Sequence, residues 1–481
     1  MADERRKKDR GASPHAGRSF DLVVVGAGSA GFSAAIAAAE EGARVLLVGH
    51  GTIGGTCVNI GCVPSKALIR AADALHAARA AARFAGIEAG ARLRDWPALV
   101  GQKDELVAAL RRKKYLDLLP AYPTVSYLEG RARLVPGGVE VNGRVIAAER
   151  VVITTGARPA IPPIPGLDEV PHLTSTTALE LKALPRHLIV LGAGAIGCEL
   201  GQAFRRFGCE VTMIDMAPLL APAEPEIRDV LRAAFAAEGI ALHENTRVGA
   251  VRRAGRRIEV VLEGEGRERV VAGDALLVAT GRRANTENLG LEALGIATRR
   301  DGGIVVDAHM QTTRPGIYAA GDVTGRDLFV YMAAHGGRIA ALNALSGNRH
   351  VHDDAVVPWV VFTDPEIAGV GLAARAAEEA GHEVATRVLP LSEVPRALVA
   401  RDARGAIKIV AERESGRILG VQLAAPGGAD VIQTAALALR AGLTVDGLAG
   451  LIFPYLTLAE GLKLAAQTFS KDVARLSCCA G

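Results

Sequence analysis

Two stretches of this chain carry the same alternation of apolar and glycine-rich sequence. From Phe20, FDLVVVGAGSAGFSAAIAAAEEGARVLLV runs through a short apolar block, a glycine turn, an alanine-rich segment and a second apolar block. Residues 187–215, HLIVLGAGAIGCELGQAFRRFGCEVTMID, repeat the pattern. Short apolar blocks without alternation mark parallel strands buried on both faces, so each stretch predicts strand, turn, helix and strand. Between them, residues 67–118 alternate Ala-rich and Arg/Lys-rich patches at helical spacing. They predict one or two amphipathic helices crossing over the first sheet with their charges on a solvated face. Short strands return over residues 124–155, turning at Gly137–Gly138, and VVITTGARPAIPPIPG ends that segment with a strand and a proline-rich link. From Val356 strands and helices alternate in a separate α+β pattern, closing on a helix that bears Glu460 and Lys463.

The glycine turns add a ligand to this pattern. In the first, Gly26 suits a tight turn, Gly28 a close approach of backbone to a pyrophosphate and Gly31 close helix packing, while the helix start that follows favours phosphate. Gly51 and Thr56 approach the same ligand from the next loop. The acid that ordinarily ends the second strand and holds a ribose is missing, and Gly49 and His50 stand there. The second turn places Gly192, Gly194 and Gly197 alike and does end in an acid, Asp215, suited to accept from a ribose 2′-hydroxyl and to repel a 2′-phosphate. Two such units imply two dinucleotides. Arg205 and Arg206, on the helix between, are expected to face solvent. Asp322 follows the apolar run IYAAG and suits either a helix N-cap or a bond to a flavin hydroxyl.

Composition narrows the class without changing it. With 481 residues, 49% hydrophobic and 22% charged, the chain suits two or three domains, each with its own core. Much of its net charge of +4 sits in the opening MADERRKKDR, so no nucleic-acid surface is expected; the later apolar runs are short or glycine-broken, so no membrane span is expected, and residues 1–19 read as a disordered basic arm. The six cysteines form no secreted disulfide framework, which points to the cytoplasm.

They do form two pairs with chemistry. Cys57 and Cys62 lie in GGTCVNIGCVPSK, directly after the first dinucleotide unit, and read as a redox couple or as two small buried residues. Cys478 and Cys479 are adjacent near the end, where a mutual disulfide is strained and chelation of a soft metal is favoured, or where they are incidental thiols of a frayed terminus. Cys198 and Cys209 are expected to fill core positions.

The ordered set GAGSAG, GGTCVNIGCVPSK, TTGARP, GAGAIGCE, ATGRRAN and IYAAGD resembles the flavin disulfide reductases, the family of glutathione reductase and dihydrolipoyl dehydrogenase, across nearly the whole chain from Phe20. Within it, FPYLTLAEGLKLAAQTF and the terminal SCCAG look most like the mercuric reductase branch. The resemblance implies an α/β fold with two Rossmann-like domains and a C-terminal α+β dimerisation domain. FAD would be bound by residues 20–160 and 286–355, NAD(P) by 161–285, and the partner subunit of a homodimer by 356–481. It implies FAD contacts from Ala30, Lys66, Ala132, Thr155, Gly156, Asp322 and Val330, with Gly281 and Arg282 also lining cofactor. Hydride would pass from nicotinamide to flavin and an electron pair on to Cys57–Cys62, with Cys62 against the ring and Cys57 the exchanging thiol. Lys66, paired with Glu199, would stabilise the reduced ring.

Members that reduce organic disulfides carry a His–Glu pair near the C-terminus to protonate the leaving thiolate. Here Tyr455 and Glu460 occupy those positions, which removes the imidazole and suits a metal acceptor. Hg(II) would be captured by Cys478 and Cys479 of one subunit, passed to Cys57 and Cys62 of the other, and reduced. The branch implies NADPH, whereas Asp215 by its charge favours NADH. The alternatives are a dihydrolipoyl or other small-disulfide reductase, and a thiol protein that only sequesters metal.

Overall fold

The apolar blocks become parallel strands. The computed structural model describes residues 19–263 and 269–473, and its backbone divides into two compact units. The first comprises Met1–Asn59, Ala109–Arg158 and Arg283–His352. Its centre is a parallel sheet in which β1 (Leu22–Val25) lies between β2 (Val45–Gly49) and the strand Val151–Ile153, with β3 (Val125–Glu129) beyond β2 and Ile317–Ala319 on the other edge. Every residue of β1 and β2 is buried, because both faces of the sheet are covered.

On one face, α1 (Ser29–Glu40) and the helix Val330–Ser346 share a core built from Phe32, Ala34, Ala38, Ile339 and Ala341. Small residues set their approach: a Cβ on Gly337 would fall 2.2 Å from the Ala30 carbonyl oxygen. On the other face, Val23, Val25, Leu46 and Val48 pack with Leu134, Val139 and Val141 of an antiparallel three-stranded sheet, Ala132–Val135, Gly138–Val141 and Arg144–Ala147.

The second unit comprises Ile60–Ala108, Pro159–Arg282 and Asp353–Gly481. A parallel sheet runs Ala241–His243, Glu210–Ile214, His187–Leu191, Ala275–Val278, Leu173–Thr174. An antiparallel one runs Trp359–Val361, Glu366–Gly371, Ile418–Ala425, Ala406–Glu412, Val384–Pro390. Polar contacts tie the segment after residue 356 to the start of the helix Pro225–Ala237: Lys408 Nζ donates to Glu224 at 2.9 Å and to Glu226 at 2.8 Å, and the Glu224 N–H donates to Gln422 at 2.7 Å. These contacts explain why the two segments cluster in one unit.

One sequence expectation changes here. The helical region after residue 60 forms α3 (Cys62–Ala80) and the helix Trp96–Arg111, and Leu68, Ile69, Ala72 and Trp96 share a core with Phe204 and Phe207 of the second unit. The Trp96 indole N–H completes the docking by donating to the Leu181 carbonyl at 2.8 Å. Arg205 and Arg206 do not face solvent. The Arg206 side chain is 2% exposed and meets Asp73 and Glu238 at 2.7 Å and Asp364 at 2.8 Å, while Arg205 donates to the carbonyls of Glu238 and Cys209. Periodicity marks a charged residue as polar; it does not reveal that three carboxylates from distant segments surround it. Cys198 and Cys209 are core residues, and burial pushes both thiols up, Cys209 to about 12.

Candidate active site

In the first unit the GAGSAG turn is shaped as a phosphate cradle. Gly26 has φ +122°, and a Cβ there would stand 2.2 Å from the Thr154 carbonyl oxygen, while one on Gly31 would stand 1.8 Å from the Gly26 oxygen. Gly28 caps α1 without any side-chain bond and no acid lies in the first turn, so the amides at the helix start remain available to an anion. These residues fit the pyrophosphate of FAD. Around the cradle, Gly51 has open space beside it, Thr56 is half-buried in α2 (Gly55–Ile60), and Gly156 is equally open. The Thr155 hydroxyl already donates to the Asn285 carbonyl at 2.8 Å, and the Asn285 amide returns a bond at 2.9 Å. Asp322 lies inside the short turn Gly321–Thr324, whose cap is Ala320, so it is not itself an N-cap. Val330 opens its helix, Ala132 opens its strand, and Ala30 is buried in α1.

The second unit repeats the cradle. Gly192 has φ +103°, and a Cβ on Gly197 would fall 1.9 Å from the Gly192 oxygen. Gly194, the uncapped start of helix Ala195–Phe207, has no atom within 4 Å of such a Cβ, leaving room for a second pyrophosphate. Asp215 sits just past the strand Glu210–Ile214, and its carboxylate accepts the Ala193 N–H at 2.6 Å and the Ala217 N–H at 2.8 Å. It thus braces the glycine turn as well as charging the strand end. Gly281 is exposed with open space beside it, and Arg282 follows at the start of a strand.

Cys57 is half-buried in α2 of the first unit, and Cys62 is the first residue of α3 in the second. α3 begins at Gly61 without a side-chain cap, so the positive end of a 19-residue helix lies at Cys62 and favours negative charge there. One turn on, Lys66 Nζ donates to Glu199 at 2.6 Å, and the other oxygen of that buried carboxylate accepts the Phe362 N–H at 2.9 Å. The Phe362 ring completes the clasp, with Lys66 Nζ 4.8 Å from its centroid. The structure therefore brings Lys66 and Glu199 together. It adds Phe362, which no sequence signal marks, since its part is played by a backbone N–H and a ring face.

Residues 20–341 match the sequence profile described as pyridine nucleotide-disulphide oxidoreductase, and residues 357–466 match the dimerisation domain of the same group. The chain belongs to this family. Among curated relatives it is 48% identical over 471 residues to the mercuric reductase of Streptomyces lividans, an alignment that covers 96% of this chain and 98% of that one. It is 45% identical over 465 residues to the mercuric reductase of Lysinibacillus sphaericus, covering 96% and 85%. Among solved structures, the Cu(II) complex of the HOCl-induced flavoprotein disulfide reductase RclA from Escherichia coli aligns with TM-score 0.83 at 31% identity, covering 94% of this chain and all of that one.

In this oxidoreductase Tyr455 is 57% exposed, beside the exposed Leu451, Ile452 and Leu456. Glu460 is 5% exposed, and among the described residues its Oε2 is buried without a hydrogen-bond partner. Cys478 and Cys479 lie outside the described residues. Also among the described residues, no helix is long and apolar enough to cross a membrane. Mercuric reductases use FAD and NADPH, with Hg(II) as substrate, so the charge of Asp215 is a test of coenzyme choice. In Asp215→Ala, steady-state turnover with each coenzyme is expected to show the kcat/KM ratio moving toward NADPH by roughly tenfold, and KM rising for both as the turn loses its brace. An unchanged ratio removes Asp215 from coenzyme selection.

Proposed function

We propose that this oxidoreductase reduces Hg(II) to Hg(0) at the expense of NADPH, and that Cys57 and Cys62 are the thiols that hold the ion during reduction. The observation that carries the reading is Cys62 at the start of α3 with the Lys66–Glu199 pair fixed one turn beyond it. A thiol at a helix start, one turn before a clamped ammonium, sits where the helix end favours negative charge, and thiolates are the ligands that select soft cations. FAD, when bound, supplies two-electron transfer between nicotinamide and the thiol site. Gly26, Gly28 and Gly31 would hold its pyrophosphate, while Gly192, Gly194, Gly197 and Asp215 would hold the nicotinamide coenzyme. The overall balance is NADPH plus Hg(II) giving NADP⁺, a proton and Hg(0).

The match to the family's dimerisation domain supports a homodimer, and the exposed Leu451, Ile452 and Leu456 suit burial against a second copy. In our reading residues 20–160 and 286–355 serve FAD, 161–285 the coenzyme and 356–481 the dimer. Each active site is composite, with Tyr455, Cys478 and Cys479 of one subunit serving the thiols of the other. NADPH dependence sets the reaction in the cytoplasm. Tyr455 stands where the disulfide-reducing members carry the imidazole that protonates an organic leaving thiolate, which supports a metal acceptor over a disulfide.

The test is Hg(II)-dependent oxidation of NADPH in excess thiol, with volatile mercury trapped. Cys478→Ala/Cys479→Ala is expected to lower the rate on the order of tenfold or more, because free thiol then competes with capture. Turnover of a small disulfide without Hg(II) turnover would replace this reading with a disulfide reductase. Tight Hg(II) binding without coenzyme oxidation would replace it with sequestration.

A further inference from the structure

The missing acid at the end of β2 has a structural reason. A Cβ on Gly49 would stand 2.7 Å from Ala27 Cβ, 2.7 Å from Tyr127 Oη and 2.9 Å from Tyr127 Cε2, so the neighbouring phenol has taken the space a side chain at 49 needs. Tyr127 lies on β3, in register with Leu47 of β2, two residues before Gly49. Side chains in register on parallel strands share a face, so the ring runs along the sheet toward the strand end. Its hydroxyl arrives where an acid at 49 would leave the backbone, against Ala27 of the phosphate turn. Among the described residues nothing hydrogen-bonds that hydroxyl. Burial and the nearby Glu129 push the phenol's ionisation up, so at neutral pH it keeps its proton and both donates and accepts.

We infer that Tyr127 replaces the absent acid, its hydroxyl hydrogen-bonding a ribose hydroxyl of the adenosine half of FAD. The inference rests on FAD occupying the first unit, as proposed above. A dinucleotide fold reads the ribose at the end of its second strand, and here that end is furnished by the adjacent strand. A neutral phenol also adds no negative charge beside the pyrophosphate.

The experiment is a cycle on the holoenzyme. Wild type and Tyr127→Phe are loaded by exchange with FAD or with analogues whose adenosine lacks the 2′- or the 3′-hydroxyl, and flavin release is followed by its fluorescence. Tyr127→Phe is expected to release FAD roughly three- to tenfold faster, the size of one neutral hydrogen bond. One deoxy analogue should leave the wild type faster by the same factor and leave both proteins at the same rate. A second variant, Gly49→Asp/Tyr127→Ala, should discriminate FAD from that analogue again, since the acid then has room. Equal release of FAD from wild type and Tyr127→Phe overturns the inference. So does acceleration of all three flavins by one common factor, which is the mark of packing alone. A protein that purifies with no FAD overturns the functional reading as well, an outcome distinct from these two.

Discussion

Cys62→Ser is expected to retain FAD and its fold while losing at least about 10³-fold in Hg(II)-dependent NADPH oxidation, with Cys57→Ser falling comparably. A serine hydroxyl at neutral pH carries no charge and is a hard ligand, so it neither exchanges with a thiol-bound mercury nor accepts the electron pair. The substitution is nearly isosteric at a half-buried position, and α3 still begins at Gly61. The loss should therefore appear in kcat without a change in thermal midpoint. Lys66→Met, which removes the ammonium held by Glu199 and Phe362, should cost less, on the order of ten- to a hundredfold. If Cys62→Ser kept a tenth of the wild-type rate, the thiol pair would not be the site of reduction.

The second large effect concerns stability. Arg206→Met removes the guanidinium at the centre of Asp73, Glu238 and Asp364 but keeps a side chain of similar reach. Three carboxylates then face one another with their shared cation gone, a change that costs about 3–5 kcal/mol when the partner lost is buried. In thermal unfolding of the holoenzyme this should appear as a fall in Tm on the order of 5–10 °C. Its pH dependence has a definite sign. Burial already holds the Asp73 carboxyl above its ordinary range, with Arg206 the main influence pulling it back down. A carboxyl whose folded pKa exceeds its unfolded value stabilises at low pH, and that stability is lost as pH rises through the folded pKa. Without Arg206 the Asp73 carboxyl moves further up, so the variant should lose more stability at pH 8 than at pH 5. A deficit independent of pH would show that Arg206 contributes by packing rather than by charge.

Much of the site was readable from local sequence because its chemistry is local. The turns at Gly26–Gly31 and Gly192–Gly197 need glycine for reasons confined to a strand, a turn and a helix start, and the structure supplies the close oxygens that exclude a Cβ. LVVV and HLIVL read as doubly covered strands, and they are buried as such. Phe362 and Tyr127 were invisible because each acts across an element boundary. One places a ring and an N–H on an ion pair whose members are 133 residues apart, and the other fills a void left on a neighbouring strand.

By itself, then, the order of residues determined the two dinucleotide folds, the spacing of Cys57 and Cys62 and the absence of an imidazole at Tyr455. Each of these is a matter of short-range geometry or of which functional group is present at all. Tertiary structure alone decided that α3 docks against the core of Phe204 and Phe207, that Arg206 is buried among carboxylates, and that a phenol fills the space beside Gly49. The physical reason is that burial, ion pairing and steric exclusion depend on which distant segments meet, and residues far apart in the chain carry no periodicity that records their meeting.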